Sequence, residues 1–189
     1  MRLRVTQYGE PVLRQSGDAV EVFDENLHTL ASDMLETMYA EEGVGLAAQQ
    51  VDRALLLCVI DVSHLPDEDL DYQLDGLRQP IDLIMPMALV NPEVTELPGR
   101  TVTDEEGCLS FPGIRGEVPR MESIEVRFQD LKGLAHTLVC SGWFARVVQH
   151  EVDHLKGKLF VDRMEKRQRR LIEGKVRRLK RQTLKTLEE

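Results

Sequence analysis

Gln149-His150-Glu151-Val152-Asp153-His154-Leu155 decides how the rest of the chain is read. It lies within residues 143–156, where Phe144, Val147, Val148 and Leu155 recur at spacings of three and four and no Pro or Gly intervenes, the pattern of a helix. Positions four apart share one helix face, so His150 and His154 aim two imidazoles at one point. Glu151 then stands where a carboxylate takes a proton from a water activated by a metal ion, the division of labour of a His-Glu-x-x-His helix. The competing reading is a chance pair among five His in 189 residues, solvated or hydrogen-bonded in a core. The intervening Glu and the apolar flanks favour the metal. Two His do not complete a catalytic centre, which takes about three protein ligands and leaves one position for water.

A third ligand must come from elsewhere in the chain. In Glu105-Glu106-Gly107-Cys108-Leu109-Ser110-Phe111-Pro112-Gly113, Cys108 follows a Gly in a polar turn instead of an apolar run. Its thiol either faces a cavity, completing a three-ligand site with an open position, or is an inert turn cysteine. Cys58 sits among aliphatics in residues 53–62, a buried strand, and reads as core. Cys140 closes a short strand, residues 136–140. Three scattered thiols form no disulfide framework and suit a reducing compartment.

Further upstream, Gly43-Val44-Gly45-Leu46-Ala47-Ala48-Gln49-Gln50 consists largely of small residues. Such a segment either lets a peptide backbone lie close against it or caps a helix and turns tightly. No Gly-Lys-Ser/Thr follows, so it is not a phosphate loop. Before it, Asp24 reads as the N-cap of a helix running to about Glu41, with Leu27, Leu30, Ala31, Met34, Leu35, Met38 and Tyr39 recurring at spacings of three and four, one face of it on a core. Tyr8-Gly9-Glu10-Pro11 and Ser16-Gly17-Asp18 read as turns. Residues 88–96 and 123–130 read as strands, the second turning Ile124, Val126 and Phe128 inward, and Lys132-Gly133 makes a hairpin turn. Residues 63–86, with Asp67, Glu68, Asp69, Asp71, Asp75 and Asp82 among Pro and Gly, read as an acidic surface excursion. The fold class is therefore α+β: antiparallel or mixed sheets packed around a central metal-binding helix, with an N-terminal helix and a C-terminal basic helix.

With 42% apolar and 30% charged residues, the chain falls outside the disordered and fibrous classes. No apolar run approaches the roughly 20 residues of a membrane helix. Met1-Arg2-Leu3-Arg4-Val5-Thr6-Gln7 carries no secretory signal, so the expected address is cytoplasmic, with no membrane partner. The net charge of −9 is unevenly spread. Residues 163–189 hold eleven Arg or Lys against four Asp or Glu, a net of +7, which leaves −16 on residues 1–162. Residues 1–164 are read as one catalytic unit and residues 165–189 as a basic helical extension of the same domain, with Leu171, Ile172, Val176 and Leu179 on one side. Such a block of like charge is either plain solvated surface or, as a basic helix on an acidic body, a contact for a polyanion such as ribosomal RNA.

Taken together, three segments resemble the peptide deformylases. Residues 43–50 match G-x-G-x-A-A-x-Q, residues 106–110 match E-G-C-x-S, and residues 149–154 match Q-H-E-x-D-H, unbroken and in order. The acidic stretch 63–86 is the departure, longer than the short loop common in that family. The resemblance implies metal ligation by Cys108, His150 and His154, with Glu151 as general base and acid. Gln50 and the backbone N–H of Leu109 become the oxyanion hole. It implies one divalent ion, Fe²⁺ in the cell, with Zn²⁺, Ni²⁺ or Co²⁺ in purified protein. The implied substrates are N-formyl-methionyl nascent peptides, from which formate is released, and the expected state is a monomer. Val44, Trp143 and Val147 are candidates for the methionine pocket, Gly45 for a further substrate contact, and Arg115 for holding the peptide backbone or its end. Two other readings compete. An ordinary zinc peptidase would need a third ligand downstream, where only Glu165 and Glu173 offer one. A silent ribosome-associated module with a structural metal would need neither Glu151 nor Gln50.

Overall fold

The structure, a computed structural model, describes residues 1–188; Glu189, the last residue of the expected basic helix, lies outside them. In chain order the elements are α1 (Glu25–Ala40), β1 (Gly45–Ala47), β2 (Leu57–Ile60), β3 (Tyr72–Leu74), α2 (Ile81–Ile84), β4 (Met87–Glu96) and β5 (Thr101–Gly107). There follow β6 (Arg115–Met121), β7 (Ser123–Gln129), β8 (Ala135–Ser141), α3 (Gly142–Leu155), α4 (Phe160–Arg163) and α5 (Lys166–Glu188). A six-stranded sheet runs β1-β2-β4-β7-β8-β3, and β5 pairs with β6 in a separate hairpin. Every pairing within the two sheets is antiparallel.

The sheet carries helices on both faces, and β2 shows why its sequence is apolar throughout. Cys58 and Ile60 join the core beneath α3, whereas Leu57 and Val59 join the core beneath α1, because successive strand side chains alternate in direction. Helix α1 starts where Asp24 accepts hydrogen bonds from the Asn26 and Leu27 N–H groups at 3.0 and 3.1 Å. It then buries Leu27, Ala31, Met34 and Met38. Helix α3 buries Phe144, Val147, Val148, Val152 and Leu155 against the opposite face of the sheet, where Ile124, Val126 and Phe128 point as expected. The β7–β8 turn forms at residues 132–133: Gly133 has φ +80°, and the Asp130 carboxylate accepts the Lys132 and Leu134 N–H groups.

Four expectations need correcting. Residues 16–18 do not turn. Ser16 bridges to Lys156 and Asp18 to Leu55, with Gly17 so close to the Leu55 backbone that a Cβ would lie 2.5 Å from its carbonyl carbon. The strand expected over residues 53–62 shrinks to β2, because only residues 57–60 pair with β4 and, of these, 58–60 also pair with β1. The acidic stretch 63–86 is more than surface. Its β3 pairs with β8 at the sheet edge, and Leu70, Tyr72 and Ile81 are buried in the α3-side core. The β5–β6 hairpin had no apolar alternation to announce it, since Thr101–Gly107 is polar and the residue it buries is Glu106. Helix α5 spans the expected basic segment, with Val176 and Thr183 buried, but Leu171 is 75% exposed and lies off the packed side.

Candidate metal centre and active site

Helix α3 places His150 and His154 side by side, their ring centroids 5.1 Å apart. Cys108, immediately after β5, brings its Sγ to 3.3 Å from His154 Nε2. One ligand atom from each of Cys108, His150 and His154 falls within 4.8 Å of the others, the one such cluster among the described residues. The alternative downstream ligands are not brought there: Glu173 pairs with Arg169 and Arg177 on α5, and Glu165 is exposed. Burial pushes the thiols of Cys58 and Cys140 up, which keeps both as protonated core residues.

A buried ionic network fixes the ligand helix from behind. Glu106, on β5, accepts from His150 Nδ1 at 2.9 Å, which leaves Nε2 for an ion. The same carboxylate accepts from Arg120 Nε and Nη2 at 2.9 and 3.0 Å and from Arg146 Nη1 at 2.8 Å. Arg120 also binds Asp153, which in turn takes two hydrogen bonds from Arg163. Burial pushes the Glu106 carboxyl up, but His150 and Arg120 outweigh it and hold the group ionised, well below the usual carboxylate range. Burial also holds His154 well below an ordinary imidazole, neutral as a ligand must be. One thiol and two imidazoles so oriented fit a divalent transition-metal ion.

Glu151 lies against β1, and at Gly45 a Cβ would meet its Oε1 at 2.4 Å, so only glycine admits the carboxylate here. Its Oε2 is buried with no partner among the described residues. Burial pushes its carboxyl up to about 7, with His150 opposing the shift and Glu106 adding to it. Gln50 belongs to a short 3₁₀ turn, Ala48–Val51. Its Oε1 accepts the Ala47 N–H at 2.9 Å, and its Nε2 points at Ser110 Oγ (3.3 Å) and Cys108 Sγ (3.5 Å). The Leu109 N–H meets no acceptor among the described residues.

These groups open onto a cavity of about 480 Å³. Val44 and Gly45 line it from the β1 side, Trp143 and Val147 from α3, and Arg115 from the start of β6, together with Gln50, Cys108, Leu109, His150 and Glu151. His154 lies behind them, 1% exposed. Arg115 is an exposed rim residue, its Nη1 3.5 Å from Glu105. Residue-by-residue reading missed the roles of Glu106, Arg120, Arg146 and Asp153. Glu106 was visible only as a letter of a motif, and the two arginines reach the site from positions that no spacing rule connects.

An α+β fold that sets a Cys-His-His cluster beside a buried carboxylate and an inward amide defines a metal-dependent hydrolase. The model of the polypeptide deformylase family matches residues 2–170. A peptide deformylase of Opitutus terrae is 52% identical over 183 residues, 95% of this chain and 93% of that one, and that of Endomicrobium trichonymphae is 41% identical over 179 residues, 95% and 96%. Among solved structures, a plant peptide deformylase superposes with a TM-score of 0.85 at 33% identity, covering 99% of this chain and 94% of that one. The enzyme of Thermotoga maritima gives 0.74 at 39% identity, covering 87% and 99%. The chain belongs to the polypeptide deformylase family of enzymes. No helix among the described residues is long and apolar enough to cross a membrane.

Proposed function

We propose that the protein hydrolyses the N-formyl group from the terminal methionine of newly made polypeptides, releasing formate and a free amine. The observation that carries this is the convergence of Glu151, Gln50, Cys108 and His150 on one cavity, with His154 completing the ligand cluster behind them. Cys108, His150 and His154 would hold one divalent ion, Fe²⁺ in the cell and Zn²⁺, Ni²⁺ or Co²⁺ as substitutes, which when bound supplies a Lewis acid that makes water acidic near neutral pH.

Glu151, with a free Oε2 and an upward-shifted pKa, takes the proton of the attacking water and returns it to the leaving nitrogen. The Gln50 amide and the Leu109 N–H donate to the oxygen on which charge develops, where one such donor is worth about 10²- to 10³-fold in turnover. Glu106 keeps His150 in the tautomer a ligand requires. Val44, Val147 and Trp143 offer the methionine side chain an apolar wall, Gly45 leaves room for the substrate backbone, and Arg115 at the rim meets the downstream peptide.

Residues 1–164 act as the catalytic unit and 165–189 as an extension of the same domain. In support, α5 buries Val176, and its Ile172 reaches β6, where a Cβ at Gly116 would lie 3.7 Å from Ile172 Cδ1. The exposed face of α5, with Arg167, Arg170, Lys175, Arg178 and Arg181, offers a polyanion surface for ribosomal RNA. Salt-dependent ribosome binding that survives removal of residues 166–189 would end that part of the reading. A monomer in the cytoplasm completes it.

The deciding experiment is formate release from formyl-Met-Ala by anaerobically prepared, Fe²⁺-loaded protein beside a Glu151→Ala control. The expected result is turnover in the parent and a loss of at least about 10²-fold in the control. Equal rates in the two proteins would refute Glu151 as the base.

A further inference from the structure

Gln50 and Leu109 sit on separate pieces of chain, and one short segment near the N-terminus is bonded to both. Thr6 donates its N–H to Gln50 O at 2.8 Å and its Oγ1 to Gln49 O at 3.1 Å. Two residues on, the Tyr8 N–H donates to Ser110 O at 2.9 Å, and between them Gln7 Nε2 reaches Leu109 O at 3.4 Å. A residue of chain spans at most about 3.6 Å, so Thr6 and Tyr8 cannot separate by more than about 7 Å. The segment is a strap of limited length across the two walls of the site.

The strap is itself held on every side. Arg4 makes two hydrogen bonds to Glu10, at 2.8 and 2.7 Å, and the same buried carboxylate accepts the Gln7 N–H at 2.8 Å. The Tyr8 ring stacks on Phe111 with centroids 4.6 Å apart, and Phe111 meets Phe160 edge-on at 5.1 Å. At Gly9, φ +125°, a Cβ would stand 3.2 Å from both Lys180 O and Thr183 Cβ, so α5 backs the strap. None of Arg4, Thr6, Gln7, Tyr8 or Glu10 lines the cavity.

We propose that residues 4–10 form a clasp that sets the separation of the Gln50 amide and the Leu109 N–H, with Tyr8 as its principal positioning residue. The clasp rests on the reading of those two groups as oxyanion donors. Such donors work within a few tenths of an ångström of about 2.9 Å, and a shift of about 1 Å costs on the order of 10²-fold. Tyr8 therefore acts on turnover through Ser110 and Phe111, without touching the peptide.

The test compares metal-loaded, full-length Tyr8→Ala, Tyr8→Phe, Thr6→Val and Gln50→Ala on formyl-Met-Ala. The clasp predicts that Tyr8→Ala lowers kcat about 10- to 100-fold with KM within about twofold, and that Tyr8→Phe, which keeps the ring, recovers it to within about threefold. Thr6→Val, isosteric and lacking only the Oγ1 bond, lowers kcat about three- to tenfold. Amide hydrogen exchange at Thr6 and Phe111, whose N–H groups are bonded to Gln50 O and Cys108 O, speeds up in Tyr8→Ala while the metal content is unchanged. In the Gln50→Ala background, Tyr8→Ala adds little, because half of the pair it positions is already gone. A Tyr8→Ala protein that raises KM at constant kcat, or loses kcat only in proportion to lost metal while Thr6→Val is silent, overturns the clasp. Full kcat in Gln50→Ala would instead remove the oxyanion reading, and the clasp with it.

Discussion

Two regions of this molecule are rich in the same charged residues and behave oppositely. Behind His150, the side chains of Glu106, Arg120 and Asp153 are no more than 5% exposed, and Arg120 joins the two carboxylates, donating twice to Glu106 and once to Asp153. On α5, Arg177 pairs with Glu173 at 2.9 Å while 78% exposed. In water the second pair is worth a few tenths of a kcal/mol, because solvent screens it and two long side chains lose freedom to make it. In the interior, removing one partner strands a charge that water no longer reaches. The lesson is that charge content does not separate architecture from coating; burial does.

The largest expected effect breaks the buried side. Arg120→Leu leaves Glu106 and Asp153 without their shared cation and should cost about 3 to 5 kcal/mol of stability, read from urea or guanidinium unfolding. A gentler change sharpens the comparison. Glu106→Gln keeps the shape but loses the charge that holds His150 Nδ1, so metal affinity should fall about 10- to 100-fold in a chelator competition while the fold persists. An unchanged affinity would mean that the network serves stability alone.

The smaller effects lie on the surface. His136 Nδ1 contacts Asp75 at 2.7 Å, across the β3–β8 edge. The hydrogen bond that His136 donates to the Asp75 carboxylate raises the His136 pKa, and the same bond lowers that of Asp75. A raised histidine contributes stability that is full below its unfolded pKa near 6.5 and is lost as pH rises through the folded value. The depressed aspartate contributes above its unfolded pKa near 3.9 and loses that contribution as pH falls through the folded value. His136→Gln should therefore cost most near pH 5 and little at pH 9, and no more than about 1 kcal/mol, because both groups are partly solvated. Smallest of all, Arg177→Ala should shift stability by about 0.3 to 0.5 kcal/mol, less at high salt, as thermal melts at two ionic strengths would show.

Legibility followed locality. Helices α1 and α3, strands β4, β7 and β8 and the turn at Gly133 were readable because cap, periodicity and turn chemistry are written within a few residues. The hairpin β5–β6 was not, because the residue that β5 buries is Glu106, whose charge is satisfied by Arg120 of β6 and Arg146 of α3. Residues 70–81 misled for the opposite reason: their aspartates stay in solvent, and the short alternation of Leu70, Tyr72 and Leu74 is masked by the acidic composition, while Ile81 joins the same core from beyond it. Likewise Leu171 fits an apolar stripe on paper, but the packed side of α5 follows Val176 and Thr183, which rest against the N-terminal segment and β6.

By itself the sequence determined the chemistry: two imidazoles one helical turn apart with a carboxylate between them, a thiol in an Glu-Gly-Cys turn, and an amide at the end of a small-residue run. Those signals survive without a fold because each is a local pattern of residue types whose spacing already implies its geometry. Only the tertiary structure decided that Glu106 turns His150, that Arg120 joins Glu106 to Asp153, and that Thr6 and Tyr8 tie Gln50 to Ser110. These contacts join residues 14 to 102 positions apart, and nothing but the packing of the whole chain brings such distant donors and acceptors within 3 Å of each other.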